Sequence, residues 1–215
     1  GFKDSEPSIG YGLTETNAAG TLNLGKDYLK HPGSCGRAIP PVTDVAIIDE
    51  NWNFLDEPKA IGEIVIKSPA NMVGYWKNEE ATKSSFEDGY WKSGDIASQD
   101  KNGFIRIHDR KKDMINRGVY KIFSAEIENL MMLMDEVQEA ALVPYPCPIL
   151  GERSHAFVFP SAASLEPNEI RLQLSEKVAD YKVPDKITIT TEPLPRNVNG
   201  KITKAPLRER AHKEL

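Results

Sequence analysis

Short apolar runs alternate with turn residues between positions 35 and 108. The runs at 45–48, 63–66 and 104–107 are rich in β-branched residues. Gly, Pro and Asn separate them, as at Asp88-Gly89 and Asn102-Gly103. Short strands with turn signals at this spacing are typical of a small barrel or sandwich of antiparallel strands.

The pattern changes after residue 110 to a mixture of helices and strands. A helix is predicted to begin near Ser124, which serves as its N-cap, with Glu126 and Glu128 in the first turn. Strands are predicted at 137–143, 155–159 and 186–191, and a second helix at 167–179. The chain is therefore predicted to be α+β, with a β-rich domain at 1–109, a compact α+β domain at 110–215 and a hinge near 110–113. Apolar residues recur at helical spacing in the first helix: Ile127, Leu130, Met131 and Met134.

Composition narrows the classes of function. The 215 residues are 40% hydrophobic and 27% charged with a net charge of −5, and no long basic run occurs, so nucleic acid is not an expected partner. No apolar run approaches the roughly 20 residues of a membrane helix. Cys35 and Cys147 are isolated, which argues against a metal cluster or a disulfide framework. These features predict a cytoplasmic protein with reduced thiols.

One glycine-rich segment nearly matches a phosphate-binding loop. Residues 20–26 begin and nearly end with glycine and finish at Lys26. The next residue should be Ser or Thr to bind Mg²⁺, but it is Asp27, whose carboxylate repels phosphate. The segment is therefore not interpreted as a nucleotide site.

Six other motifs occur in a fixed order. They are Gly-Tyr-Gly-Leu-Thr-Glu at 10–15, Gly-Glu-Ile-Val-Ile at 62–66, Gly-Tyr-Trp at 74–76, Trp-Lys-Ser-Gly-Asp at 91–95, Asp-Arg-Lys-Lys-Asp at 109–113, and a Gly-Lys pair ending at Lys201. Together they resemble the adenylate-forming, or AMP-binding, enzymes, which include acyl- and aryl-CoA synthetases, firefly-type luciferases and peptide-synthetase adenylation domains. The resemblance runs through nearly the whole chain. It implies that the second domain is a mobile lid.

The resemblance assigns nucleotide contacts to the first motif. Tyr11 offers an aromatic face to adenine, and Gly12 belongs to the same nucleotide-binding segment. Thr14 donates a hydroxyl to the α-phosphate, and Glu15 is an oxygen ligand for Mg²⁺. Thr14 and Glu15 are thereby expected to act in catalysis. The alternative for the motif is a polar turn that caps the next segment.

Three more positions match the family along the chain. Asp95 corresponds to the aspartate that binds the ribose hydroxyls, and Arg110 to a second ribose and phosphate contact. Lys201 corresponds to the lysine that bridges the substrate carboxylate and the α-phosphate, with Gly200 freeing its loop to move. Without the family, each of them would be interpreted as a turn residue or a solvated charge.

Two positions near the domain boundary concern movement and the acceptor. Lys112 occupies the family's hinge position and should be exposed and weakly packed. Gly118 matches the first of two glycines beside the pantetheine arm, but the second is replaced by Val119, whose β-branched side chain could narrow that passage.

The implied function is that of an ATP-dependent carboxylate–CoA ligase acting on a fatty or aryl acid through an acyl-adenylate, with ATP/AMP, Mg²⁺ and coenzyme A as cofactors. One alternative is an enzyme that transfers the acyl group to carrier-protein pantetheine, and another is a non-catalytic nucleotide-binding module. The family's phosphate loop lies well before the Tyr-Gly motif, and this chain opens only ten residues before that motif. We therefore expect this chain to be the C-terminal part of a longer enzyme and to be inactive by itself. Any targeting signal in the preceding part would be absent from it.

Overall fold

A computed structural model describes residues 6–161 and 165–214. The chain divides into two compact units, Gly1–Lys111 and Lys112–Leu215. The division falls two residues after the boundary predicted between 109 and 110. Residues 1–5 of the predicted first domain and 162–164 and 215 of the second lie outside the described residues. None of the helices in the described ranges is long and apolar enough to cross a membrane.

The first unit contains two antiparallel sheets, and the larger one curls into a half-barrel. The small sheet has the order β1-β2-β3, and the large sheet has the order β4-β5-β7-β6 with β8 paired to β7. This confirms the predicted antiparallel β-rich fold. The elements are β1 Ser8–Tyr11, β2 Thr21–Leu24, α1 Gly25–Lys30, β3 Arg37–Ala38, β4 Asp44–Ile48, β5 Ile61–Lys67, α2 Glu79–Ser85, β6 Phe86–Glu87, β7 Tyr90–Gln99 and β8 Ile105–Arg110.

The apolar runs form the core of this unit. Each of the three predicted runs lies within or overlaps a strand, and each strand is longer than, or shifted from, its run. Ile64, Val65 and Ile66 are all fully buried, so β5 is covered on both faces. The segment that resembles a phosphate loop is not a loop, because Thr21–Leu24 is a strand and Gly25–Lys30 is a helix.

The second unit is a five-stranded sheet with helices. Its order is β10-β9-β12-β11, and β13 pairs in parallel with β12. The predicted strands and both predicted helices are present. The elements are β9 Ile115–Arg117, β10 Tyr120–Ile122, α3 Ser124–Met132, β11 Val137–Cys147, β12 Gly151–Pro160, α4 Pro167–Ser175, β13 Lys186–Ile189 and α5 Lys204–Lys213.

Two predicted helix ends need correction. Ser124 is the first residue of α3, and Phe123 occupies the cap position. The helix predicted to continue to residue 179 ends at Ser175, because the chain turns there to pack the half-buried Val178 against the core. Both β11 and β12 extend beyond their predictions, since they form one hairpin paired from Val137 to Cys147.

Both faces of the second sheet are covered. Alternate residues of β11 point to opposite faces, so Leu142 lies in the core under α3 and α4, whereas Val143 lies under α5. Leu207 and Ala211 anchor α5 to that second face. The segment that carries Lys201 therefore leads directly into a helix packed on the sheet.

Candidate active site

Three of the predicted nucleotide residues meet in the first unit. Tyr11 ends β1, while Asp95 and Arg110 lie opposite each other in the β7–β8 ladder. The Tyr11 hydroxyl donates to Asp95 Oδ2 at 2.6 Å, and Arg110 Nη1 donates to Asp95 Oδ1 at 2.6 Å. We call these three side chains the Asp95 cluster. The fold of the first unit thus brings Tyr11, from the small sheet, within hydrogen-bonding distance of Asp95, which lies 84 positions later in the chain and in the large sheet.

The side chains of the Asp95 cluster differ in how far they are buried. The Asp95 side chain is 7% exposed and the Arg110 side chain is 48% exposed. Burial, followed by the hydrogen bond to Asp95, raises the pKa of Tyr11 well above its usual range, so the phenol stays protonated and remains a donor. Each carboxylate oxygen can accept more than one hydrogen bond, so both oxygens keep acceptor capacity for a ligand hydroxyl.

A residue without a predicted role fixes the backbone beside this cluster. Glu63 is 5% exposed on β5. Its Oε1 accepts from the Gly94 amide at 3.0 Å, and its Oε2 accepts from Lys111 Nζ at 2.9 Å. The Lys111 amide also donates to the Gly94 carbonyl at 2.8 Å. Glu63 therefore holds together the neighbours of Asp95 and Arg110 and acts as a positioning residue.

Gly94 itself has a backbone reason to be glycine. Its φ is +72°, in the left-handed region, although an added Cβ would meet no atom within 4 Å. The Ser93 hydroxyl accepts from the Asp95 amide at 3.0 Å and donates to the Ile64 carbonyl at 2.7 Å. The Ser-Gly-Asp sequence thus forms an ordered irregularity in β7 that aims the Asp95 carboxylate.

The predicted first motif leaves β1 for a 3-10 turn at Thr14–Thr16. A Cβ on Gly12 would lie 2.2 Å from the Ala18 carbonyl oxygen. The close approach of the two backbone segments is therefore sufficient to require glycine there. Thr16, which is buried, supplies the hydroxyl that caps the turn, bonding both the Leu13 amide and carbonyl. Thr14 is exposed. The turn interpretation of this motif accordingly accounts for Gly12 and Thr16.

Glu15 is half-buried beside the third motif. Its Oε1 lies 3.4 Å from the Tyr75 hydroxyl, and its carbonyl accepts from the Met72 amide at 2.7 Å. Within the described ranges, no group of three or more His, Cys, Asp or Glu side chains could hold a metal ion. A single carboxylate fits Mg²⁺, which is commonly bound by one or two carboxylates plus substrate phosphates.

Lys201 lies on an ordered hairpin of the second unit. The Asn197 carboxamide oxygen accepts from the Asn199 and Lys201 amides, each at 3.0 Å, and the Asn197 amide donates to the Lys201 carbonyl at 2.9 Å. Gly200 has φ +78°, which the turn requires. The glycine therefore permits the turn, and the hairpin is tied together by hydrogen bonds. The Lys201 side chain is exposed and donates to no acceptor in the described part of the chain.

Glu139 anchors the base of this hairpin to the sheet. Its Oε2 accepts from the Leu194 amide at 2.7 Å and its Oε1 from Arg196 Nη2 at 2.6 Å. Arg196 also donates to the Gly200 carbonyl and pairs with Ile202 across the hairpin. Burial would raise the pKa of Glu139, but the bonds from Arg196 and the Leu194 amide outweigh it and hold that pKa below its ordinary value of 4.5.

Gly118 and Val119 form the two-residue turn between β9 and β10. Gly118 has φ +64° at the first turn position, where hairpins of this length favour glycine. Its amide donates to the Leu150 carbonyl at 2.7 Å. Val119 is 91% exposed, so its side chain is open to solvent within its own unit.

Lys112 is exposed, as the hinge prediction requires. Its carbonyl accepts from Arg208 Nη2 at 2.9 Å, and the same guanidinium pairs with the buried Asp113. The second unit therefore fixes the chain from Lys112 onward, and Glu63 fixes Lys111 in the first unit. The Lys111–Lys112 linkage joins two anchored positions.

Comparison with known proteins decides the family. The sequence model of the AMP-binding enzyme family matches residues 3–76, and that of the AMP-binding enzyme C-terminal domain matches residues 126–201. The chain belongs to the AMP-binding, adenylate-forming enzyme family. The long-chain-fatty-acid–CoA ligase FadD13 of Mycobacterium tuberculosis is 38% identical over 207 residues, which cover 96% of this chain and 40% of the relative.

Solved structures of the AMP-binding family share this fold. ATP-bound MatB from Rhodopseudomonas palustris superimposes with a TM-score of 0.82 at 33% identity, over 94% of this chain and 40% of its own. The o-succinylbenzoate CoA synthetase of Bacillus subtilis, in complex with its acyl-adenylate intermediate, gives 0.84 at 28% identity, over 95% and 40%. The chain thus spans about 40% of the length of these relatives.

The sequence alone assigned no role to Glu63 or Glu139, which the structure shows to hold the segments beside the candidate site residues. Glu63 lay inside the second of the ordered motifs, and a charged residue within the buried run of β5 was the available signal. Glu139 offered a similar signal, since it lies within the apolar β11. Their partners, Lys111 and Arg196, are 48 and 57 residues away, which no local pattern reveals.

Replacing Glu63 should destabilise the first unit. Glu63→Ala leaves the Gly94 amide and Lys111 without their buried acceptor, so we expect a loss of about 1–3 kcal/mol in the free energy of unfolding. Urea denaturation at pH 7, followed by tryptophan fluorescence, measures this because all three tryptophans lie in that unit. The exposed Glu57→Ala serves as the control and should change stability by less than about 0.5 kcal/mol. Equal losses in both variants would contradict the positioning role.

The anchoring by Glu139 should depend on pH. Because its folded pKa is lowered, the ionised carboxylate contributes stability that is present above pH 4.5 and is lost as the pH falls through the folded pKa. The difference in unfolding free energy between the wild type and Glu139→Gln should therefore be largest at neutral pH and shrink in acid, as measured by urea denaturation with circular dichroism. The exposed Glu136→Gln should show little difference at any pH. A constant difference for Glu139→Gln across pH 3–7 would disprove the account.

Proposed function

We propose that the chain is part of an ATP-dependent carboxylate–CoA ligase that acts on a fatty or aryl acid. The reaction has two steps. A carboxylate attacks the α-phosphorus of ATP and expels pyrophosphate, and the thiol of coenzyme A then displaces AMP from the acyl-adenylate with loss of a proton. The observation that carries the proposal is the Asp95 cluster, in a family whose structural relatives are bound to ATP and to an acyl-adenylate.

In this proposal, the Asp95 cluster binds the nucleoside. Both oxygens of Asp95 have acceptor capacity for ribose hydroxyls. Arg110 is half-exposed and covers the carboxylate, so its guanidinium must shift to share Asp95 with the sugar. The Tyr11 hydroxyl is held by Asp95, which fixes the ring as an adenine platform. The cluster thereby couples the orientation of the base to that of the sugar.

Thr14 and Glu15 would serve the phosphates. Thr14 is exposed at the start of its turn, where its hydroxyl can donate to an α-phosphate oxygen. Glu15 would hold Mg²⁺, which when bound supplies positive charge to the phosphate oxygens. The half-buried position of Glu15 beside Tyr75 limits the directions from which it can be approached.

Lys201 would act in adenylation. Its exposed ammonium can bridge the substrate carboxylate and the α-phosphate, where negative charge accumulates in the transition state. Because its hairpin is tied by hydrogen bonds and anchored by Glu139, Lys201 would enter and leave the site with its whole domain. We place the pivot at the Lys111–Lys112 linkage, since each side of it is held by its own unit.

The acceptor of the acyl group could be coenzyme A or carrier-protein pantetheine. The run after Arg110 is Lys-Lys-Asp-Met-Ile-Asn, which departs from the run typical of peptide-synthetase adenylation domains and favours a freestanding CoA ligase. Relatives that this chain matches include several named as long-chain-fatty-acid–CoA ligases and one named as a pyochelin synthase. We propose cytoplasmic action without a nucleic-acid partner. A non-catalytic nucleotide-binding module is the alternative for the chain by itself, which we expect to be inactive.

Exchange of pyrophosphate into ATP should depend on Lys201. In the full-length protein, Lys201→Ala should lower acid-dependent exchange by at least about a hundredfold, since it removes a charge that is used in the transition state. A panel of fatty and aryl acids names the substrate class. The exposed Lys177→Ala should leave exchange unchanged. Exchange that survives Lys201→Ala, or that needs no acid, would refute the assignment.

The exposed Val119 should affect only the second step. If its side chain narrows the passage of pantetheine, Val119→Gly in the full-length protein should speed the conversion of preformed acyl-adenylate to acyl-CoA several-fold, without changing pyrophosphate exchange. Single-turnover kinetics with coenzyme A, and separately with a pantetheinylated carrier protein, measure this. An unchanged thioester rate with both acceptors would show that Val119 does not obstruct the arm.

A further inference from the structure

A separate cavity of about 580 Å³ lies on the first unit. Residues of β5, β7 and β8 line one side of it, and the segment that follows α1 forms the opposite wall. Lining residues include Lys30, Lys59 and Arg106, with Pro32 and Ile61 beside them. None of the residues that line it belongs to the Asp95 cluster.

Positive charge converges on this cavity. Lys30, Lys59 and Arg106 form no ion pair with any carboxylate in the described parts of the chain, although the protein carries a net charge of −5. The lining contains one carboxylate, that of Asp100. Asp100 Oδ1 accepts from the Asn102 and Phe104 amides at 2.8 and 2.9 Å, and its Oδ2 lies 3.9 Å from His31 Nδ1, so this single carboxylate is bound within the lining and is outnumbered by the cations. Three unpaired cations around one cavity favour an anionic ligand.

The wall of the cavity is held in place. The Cys35 amide donates to the Ile105 carbonyl at 2.9 Å, and the Ile105 amide donates to the Gly36 carbonyl at 2.7 Å, which ties the wall to β8. Arg106 Nη2 donates to the Pro32 carbonyl at 3.0 Å. A Cβ on Gly33 would lie only 3.0 Å from Arg106 Nη1, so the guanidinium rests against the backbone. Its other N–H groups keep their capacity to donate.

We propose that this cavity binds a small organic phosphate monoester. The Arg106 guanidinium is suited to two-pronged contact with phosphate oxygens, and the Lys30 and Lys59 ammonium groups complete the neutralisation of a dianion. Pro32 and the half-exposed Ile61 offer an apolar wall to the organic part. The volume is in the range of small-molecule sites and exceeds what inorganic phosphate requires.

Phenyl phosphate is the probe for this site, titrated into the ¹⁵N-labelled 215-residue chain at constant ionic strength. We expect saturable amide shifts confined to residues 30–36, 59–61 and 98–108. Arg106→Gln and Lys59→Gln should each raise the Kd about tenfold, because each removes a charged donor. Lys101→Gln, at an exposed position on the adjacent turn, is the control. It changes the net charge by the same amount as the two test variants but should leave the Kd unchanged. Thermal melts confirm that the exposed substitutions leave the fold intact.

Two further arms separate the alternatives. Arg110→Gln should not alter the Kd, since Arg110 belongs to the Asp95 cluster. Inorganic phosphate should bind more weakly than phenyl phosphate. Shifts that do not saturate, an equal effect of Lys101→Gln, a loss of binding in Arg110→Gln, or inorganic phosphate binding as tightly as phenyl phosphate would each overturn the proposal.

Discussion

The Asp95 carboxylate lies almost fully buried in an antiparallel sheet, where an unpaired negative charge would be strongly unfavourable. Tyr11 and Arg110 solve this problem by donating to one oxygen each. Their geometry in turn depends on the ordered irregularity at Gly94 and on Glu63. The arrangement leaves a carboxylate that is fixed in direction and has acceptor capacity on both oxygens. This is the property required for reading the two hydroxyls of a ribose.

The second unit uses a similar device for a different purpose. Glu139 is a buried carboxylate on β11, the last strand in the order of its sheet, and it accepts from a backbone amide and from Arg196; through them it anchors the Lys201 hairpin. If the second unit moves as proposed, it delivers its lysine reproducibly only when the backbone that carries the lysine is fixed within that unit. The hydrogen-bonded hairpin that carries Lys201 meets that condition. Rigid units joined by one short linkage are therefore compatible with the proposed alternation between half-reactions.

Much of the fold could be predicted from the sequence because local patterns specify it. The β-branched runs of the first unit and the helical spacing of Ile127 and Met131 produced strands and a helix where they were expected. Helix ends were less predictable, since Ser175 ends α4 for a reason of packing. The motif residues were available through family resemblance, but Glu63 and Glu139 were not. Their roles depend on partners distant in sequence that only the folded sheets bring into contact.

We propose that the Asp95 carboxylate accepts hydrogen bonds from the ribose hydroxyls of the adenylate. Calorimetric titration of AMP and of 2′,3′-dideoxy-AMP, into the full-length wild type and its Asp95→Asn variant, tests it most directly. Loss of the two hydroxyls should weaken binding to the wild type by about tenfold or more, since hydrogen bonds to a charged acceptor are removed. The same change should have a much smaller effect on the Asn variant. An equal loss in both proteins would show that Asp95 does not contact the ribose.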